Sequence, residues 1–110
     1  LTPSASSNNS EKLYTPFTQA VLNIIKAIPP GAIMTYGQVA ASAGNARASR
    51  QVVRILHTLS AKEHLPWHRV INSKMQVVIA DPLGKEEQIL LLRAEGISVT
   101  DDGRIILPLS

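Results

Sequence analysis

The chain has 110 residues, enough for one domain with a modest core and too few for two comfortable ones. A 45% hydrophobic and 17% charged composition is a globular balance, and the net charge of +3 mildly favours a polyanionic partner. There is no cysteine, which excludes a disulfide framework, a thiolate metal site and a cysteine nucleophile.

No apolar run approaches the roughly 20 residues needed to cross a bilayer. The N-terminal stretch lacks the basic-then-apolar layout of a signal peptide. The chain therefore reads as soluble and cytoplasmic (nucleoid-associated if bacterial), with no membrane partner and monomer as the default state. Residues 1–12 are rich in Ser and Asn and read as a disordered leader, with one domain over 13–110.

Thr15-Pro16 predicts a helix start, with Thr as cap and Pro at the first helical position. Phe17, Val21, Ile24, Ile25 and Ile28 then give one apolar face, and Pro29-Pro30-Gly31 ends it. Thr35 can cap a short helix that Ala43-Gly44-Asn45 stops. A second helix is expected from about Arg47 to Ser60. Two helices joined by a tight Gly turn form a helix-turn-helix candidate. On the second helix Arg47, Arg50 and Arg54 share one face, while Ala48, Val52, Ile55, Leu56 and Leu59 lie opposite, with Val53 at the margin. Pattern alone permits a merely solvated basic face, or a helix that meets phosphates and bases. The absence of acidic residues on it favours the second.

Asn72-Ser73-Lys74 is a turn signal, Met75 to Ile79 a possible short strand, and Asp81-Pro82-Leu83-Gly84 a loop. Lys85 to about Glu95 reads as a last helix with Ile89, Leu90 and Leu92 among its apolar positions, stopped by Gly96. Asp102-Gly103 between Ile97-Ser98-Val99 and Arg104-Ile105-Ile106 signals a hairpin. The fold class is thus mainly α with a small β-hairpin wing, a winged helix-turn-helix-like arrangement.

His57, His64 and His68 lack any metal-ligand spacing, and no cofactor motif occurs. Ser60 and Ser73 have histidines nearby in sequence but nothing that orients them as nucleophiles. The remaining stretch is Pro66-Trp67-His68-Arg69-Val70-Ile71. By pattern Trp67 is either a packing residue or the lining of a pocket that His68 and Arg69 adjoin.

The chain resembles the DNA-binding domain of the O6-alkylguanine-DNA alkyltransferases from about Tyr14 to Leu107. Pro66-Trp67-His68-Arg69-Val70 is similar to the family's Pro-Cys-His-Arg-Val motif, with Trp at the alkyl-accepting position as in the alkyltransferase-like proteins. Pro30-Gly31 with Tyr36-Gly37-Gln38-Val39-Ala40, then Asn45-Ala46-Arg47-Ala48-Ser49-Arg50-Gln51-Val52, then Leu90-Leu91-Leu92-Arg93-Ala94-Glu95-Gly96, follow the family's motifs in order. Ala46 replaces a usual proline. Leu59 to Leu65 does not reproduce an Asn-Pro stretch, and Ala80 to Gly84 lacks the aromatic residue and paired glycines of a pocket-wall loop.

The resemblance implies a non-enzymatic sensor that binds and flips O6-alkylguanine in duplex DNA, without cofactor, and directs it to nucleotide excision repair proteins. Arg50 would fill the space left by the flipped base and Tyr36 would press on the backbone. Arg47, Ala48, Ser49 and Arg54 would complete the DNA-binding set. The lesion pocket would comprise Tyr36, Trp67, His68, Arg69, Val70 and Glu95, with His68 and Glu95 the remnant of a thiol-activating relay. A sequence-reading winged-helix regulator and a residual repair enzyme are the alternatives.

Overall fold

The computed structural model describes residues 14–77 and 82–106. The expected leader, Val78 and Ile79 of the expected strand, and Ala80 and Asp81 of the expected loop lie outside the described residues.

Helix α1 spans Pro16–Lys26, and the Thr15 side chain accepts a hydrogen bond from the Thr18 backbone N–H at 3.1 Å. Pro16 costs this helix no hydrogen bond, because a first-turn N–H has no partner within the helix. The two-residue strand β1 (Met34–Thr35) runs directly into α2 (Tyr36–Ser42). A reciprocal capping box fixes that entry: Thr35 Oγ1 accepts from Gln38 N, and Gln38 Oε1 accepts from Thr35 N. At the other end Gly44 takes φ +102°, while Asn45 N donates to Ala40 O and Gly44 N to Ala41 O. These paired bonds make a Schellman turn, which needs a residue that tolerates the left-handed region. The chain then re-enters helix as α3 (Ser49–Glu63), completing the helix-turn-helix.

Helix α3 begins two residues later and ends three later than the expected Arg47 to Ser60. Asn45 Oδ1 accepts from Arg47 N, an Asx turn that holds the chain out of helix until Ala48. The helix runs on past Ser60 because no Gly or Pro interrupts it before Pro66. It stops at His64, in the left-handed region at φ 53°.

After a single 3₁₀ turn (Trp67–Arg69) comes β2 (Val70–Ile71), then α4 (Pro82–Ala94) and the hairpin β3 (Ser98–Val99) and β4 (Ile105–Ile106). The expected loop Asp81 to Gly84 is corrected in part, since Pro82, Leu83 and Gly84 already belong to α4; proline is tolerated in a first turn. Leu90, expected among the apolar positions, is exposed, whereas Ile89 and Leu92 are buried. The hairpin is antiparallel with Val99 opposite Ile105, and Gln76 bridges Arg104 to add a third short segment to the wing. Gly103 turns it at φ +96°, where a Cβ would lie 2.9 Å from Lys85 Cε and 3.2 Å from Val77 Cβ and O.

Strands β1 and β2 pair in parallel, Met34 with Val70 and Thr35 with Ile71. Adjacent strand residues point to opposite faces. Val70 therefore joins the core of Val21, Leu22, Ile25, Val39, Val52 and Leu65, while Ile71 joins that of Val77, Ile89, Leu92, Val99 and Ile105. Each fully buried aliphatic side chain contributes roughly 1.5–3 kcal/mol to holding the halves on this partition.

Candidate functional site

The turn that carries Trp67 is built by its neighbours. Leu65 is buried and anchors the end of α3. Pro66, at φ −76° and ψ 66°, forms an inverse γ-turn in which Trp67 N donates to Leu65 O at 2.8 Å. Arg69 N then donates to Pro66 O and Val70 N to Trp67 O, leading into β2. From α4 the buried Gln88 side chain clasps the same turn, its Nε2 donating to His68 O at 3.0 Å and Val70 O at 3.3 Å.

Trp67 is half-buried, and it borders an open concavity of about 840 Å³. Tyr36 from α2, Val70 from β2 and Gln88 from α4 form parts of the wall, and Val53, Leu56, His57, Ser60, Ala61 and His64 from α3 form another. This size lies in the range of small-molecule sites. Burial pushes the Tyr36 hydroxyl pKa up, so it stays neutral and able to donate. Ser60 has its hydroxyl directed at the Leu56 carbonyl at 2.5 Å, not at a histidine, so no base activates it.

The structure separates the expected pocket set into two layers. Tyr36, Trp67 and Val70 line the concavity; His68, Arg69 and Glu95 do not. Those three form an ionic cluster behind the turn. His68 Nε2 donates to Glu95 Oε2 at 2.8 Å, and its ring meets the Trp67 ring edge to face at 6.2 Å. Arg69 donates through Nε and Nη2 to the same carboxylate, the latter at 2.6 Å, and through Nη1 to Ile28 O at 2.8 Å. Gly31 N donates to Glu95 Oε1. Arg69, burial notwithstanding, with His68 and Gly31 holds the Glu95 carboxyl down at about 2. Glu95 can reach this point because Gly96, at φ +87°, closes α4 in a second Schellman turn. The cluster thus ties together the end of α1, the Trp67 turn and the end of α4.

On the opposite flank of α3 lies a second concavity of about 600 Å³ between α1 and α3. Arg47, Ala48, Arg50 and Arg54 line it with Tyr14, Thr18, Gln51 and Thr58. Arg47 precedes the helix instead of belonging to it, yet shares the concavity with Arg50 and Arg54. Ser49 opens the helix half-buried. Among the described residues none of the three arginines has an ion-pair partner. The carboxylate of Glu63, the single acidic residue of α3, is taken up by Tyr14 and Lys26. An unneutralised arginine group on a projecting helix offers phosphate contacts.

His57, Ser60, His64 and Gln88 of the first concavity, and Tyr14, Thr18, Gln51 and Thr58 of the second, are absent from the sequence-derived site. His57, Ser60 and His64 fall at helical spacing from Val53, and His64 joins that row only when the helix is run on to Glu63.

Residues 16–97 match the family described as 6-O-methylguanine DNA methyltransferase, DNA binding domain. The chain is 45% identical over 92 residues to the DNA base-flipping protein of Escherichia coli, covering 83% of this chain and 70% of that one. It is 34% identical over 84 residues to Alkyltransferase-like protein 1 of Schizosaccharomyces pombe, covering 76% and 78%. Among solved structures it superposes on S. pombe Atl1 in complex with damaged DNA containing O6-carboxymethylguanine. That match has a TM-score of 0.69 at 35% identity, over 84% of this chain and 88% of the other.

Proposed function

The chain belongs to the family of the 6-O-methylguanine DNA methyltransferase DNA-binding domain, and on that premise we propose that it is a non-enzymatic sensor of O6-alkylguanine in duplex DNA. The observation that carries this reading is the place of Trp67. It borders the large concavity, in a stretch that resembles the family's Pro-Cys-His-Arg-Val motif with Trp in place of the alkyl-accepting cysteine, and the chain contains no cysteine. An indole gives a flat surface for an extruded base and its alkyl group, and no sulfur for displacement.

The residues divide the work between the two flanks of α3. Arg47 and Arg54 hold phosphates, and Arg50 enters the duplex to occupy the space of the extruded base, where its planar guanidinium can stack and donate. Tyr36, at the first position of α2 on the rim of the concavity, presses on the backbone beside the target nucleotide. Extrusion costs a few kcal/mol of stacking and pairing, and less for an O6-alkylated guanine, whose pairing is already weakened. The names of the relatives, a base-flipping protein and an alkyltransferase-like protein bound to damaged DNA, support the same reading. Bound and unrepaired, the lesion is shielded and passed to nucleotide excision repair proteins.

The test is binding to two duplexes that differ by one O6-methylguanine, at a stated moderate salt because phosphate contacts alone can dominate affinity. The expected result is tighter binding to the lesion duplex, with DNA and protein unchanged in mass afterwards. Equal binding to both would overturn the sensor reading. A strong sequence consensus from random undamaged DNA would replace it with that of a winged-helix regulator.

A further inference from the structure

One wall of the large concavity is built by α3 and the residue that ends it, His64. His57, Ser60, Ala61 and His64 stand at i, i+3, i+4 and i+7, and all of them line it. His57 and His64 are exposed, and among the described residues neither imidazole has a hydrogen-bond or ion-pair partner. Among the described residues, no Asp, Glu, Lys or Arg is in the lining.

The other polar groups there are uncharged or committed. Tyr36 is kept neutral by burial. Gln88 spends its amide N–H groups on the His68 and Val70 carbonyls, and Ser60 spends its hydroxyl on Leu56. The nearby charges of α3 point elsewhere. Arg54 lines the opposite concavity, Lys62 sits over the Tyr14 ring, and Glu63 is held by Tyr14 and Lys26. Glu95, behind the turn, is saturated by Arg69, His68 and Gly31. Among the described lining residues, the two imidazoles are therefore the groups that can acquire positive charge.

We propose that His57 and His64 make this pocket select base adducts bearing a carboxylate over neutral adducts of the same size. The proposal rests on the lesion-pocket reading above. A carboxylate carried into the recess by a polyanionic strand needs a local cation, and an imidazolium donates to it the strong, charge-assisted kind of hydrogen bond. Arg47, Arg50 and Arg54 do not serve, because they line the concavity on the other flank. A protonated imidazole can supply that charge, so the preference is read at two pH values.

The experiment uses the full chain and four duplexes that differ at one base: guanine, O6-methylguanine, O6-carboxymethylguanine and its uncharged carboxamide isostere. Affinities are measured at pH 6 and pH 8 at fixed ionic strength. Comparing carboxylate with carboxamide cancels the phosphate contribution, which itself responds to pH through any histidine near the backbone. The carboxylate is expected to be preferred about five- to tenfold at pH 6, falling at pH 8, in keeping with two partly exposed ion pairs. His57→Gln with His64→Asn should remove the preference and its pH dependence; Asn is chosen because it tolerates the left-handed backbone at position 64. Thermal melting reports whether the double variant folds, and the wild-type ratio stands as a test without it. A carboxylate-to-carboxamide ratio of one at both pH values, or one that ignores pH, overturns the proposal while leaving the lesion pocket intact. No preference for any adduct over plain guanine overturns both.

Discussion

His68 and Glu95, 27 residues apart in sequence, are joined at 2.8 Å, and Arg69 grips the same carboxylate from β2's side of the turn. The arrangement spends the carboxylate on structure. Glu95→Gln leaves the largely buried Arg69 guanidinium without its counter-charge, and a loss of about 2–3 kcal/mol is expected on the scale of broken, partly buried ion pairs. Urea unfolding measures it.

The same carboxylate sets an acid limit. Its folded pKa of about 2 lies below the ordinary 4.5, so its stabilisation is fully present above pH 4.5 and is lost as pH falls toward 2. Melting temperature of the wild type should drop through that window, and Glu95→Gln should show a smaller drop. Parallel curves for the two proteins would contradict the assignment.

The arginines should separate by role. Arg47→Ala and Arg54→Ala are expected to weaken binding equally to lesion and undamaged duplexes and to lower the salt slope by about 1 each. Arg50→Ala should lower the preference for the lesion itself by about tenfold or more, because the vacated stack is no longer filled. Titrations of both duplexes over a range of salt distinguish the two patterns.

His64 ends α3 at φ 53°, with Leu65 N donating to Ser60 O, at a position where glycine carries no steric penalty. His64→Gly should raise stability by about 0.5–1 kcal/mol, or roughly 2–6 °C by calorimetry. A β-branched residue there should lower it. An unchanged or lower melting point for the glycine variant would show that the histidine side chain holds the cap.

Trp67→Cys restores the motif's sulfur and not its support. Glu95 is locked by Arg69 and Gly31, and Ser60, not an Asn-Pro stretch, faces the pocket from α3. Intact-mass measurement after incubation with excess O6-methylguanine DNA should show far less than one methyl per protein. Stoichiometric methylation would refute this.

Much of the architecture was legible in the residues. Thr15-Pro16, Thr35, Gly44, Gly96 and Asp102-Gly103 announce caps and turns by local chemistry, and the structure realises each of them. The β1–β2 pairing was not legible, because two residues per strand carry no periodicity and the partner lies 36 positions away by register (Met34 to Val70). The start of α4 was misplaced because Pro82 and Gly84 read as loop residues, although a first turn tolerates both. Trp67, Tyr36 and Val70 came from the family's motifs and do share one concavity. His68, Arg69 and Glu95 came from two of those motifs, and only three-dimensional packing reveals that they stand behind the wall. His57 stood inside the expected helix with no ligand or catalytic spacing to single it out, and His64 lay beyond its expected end.

Val70 and Ile71 give the domain a single partition with a core on each face. A wall two residues long cannot stay upright when either side empties. The half bearing α3 and the half bearing the wing must therefore melt together, in one transition whose calorimetric and van't Hoff enthalpies coincide.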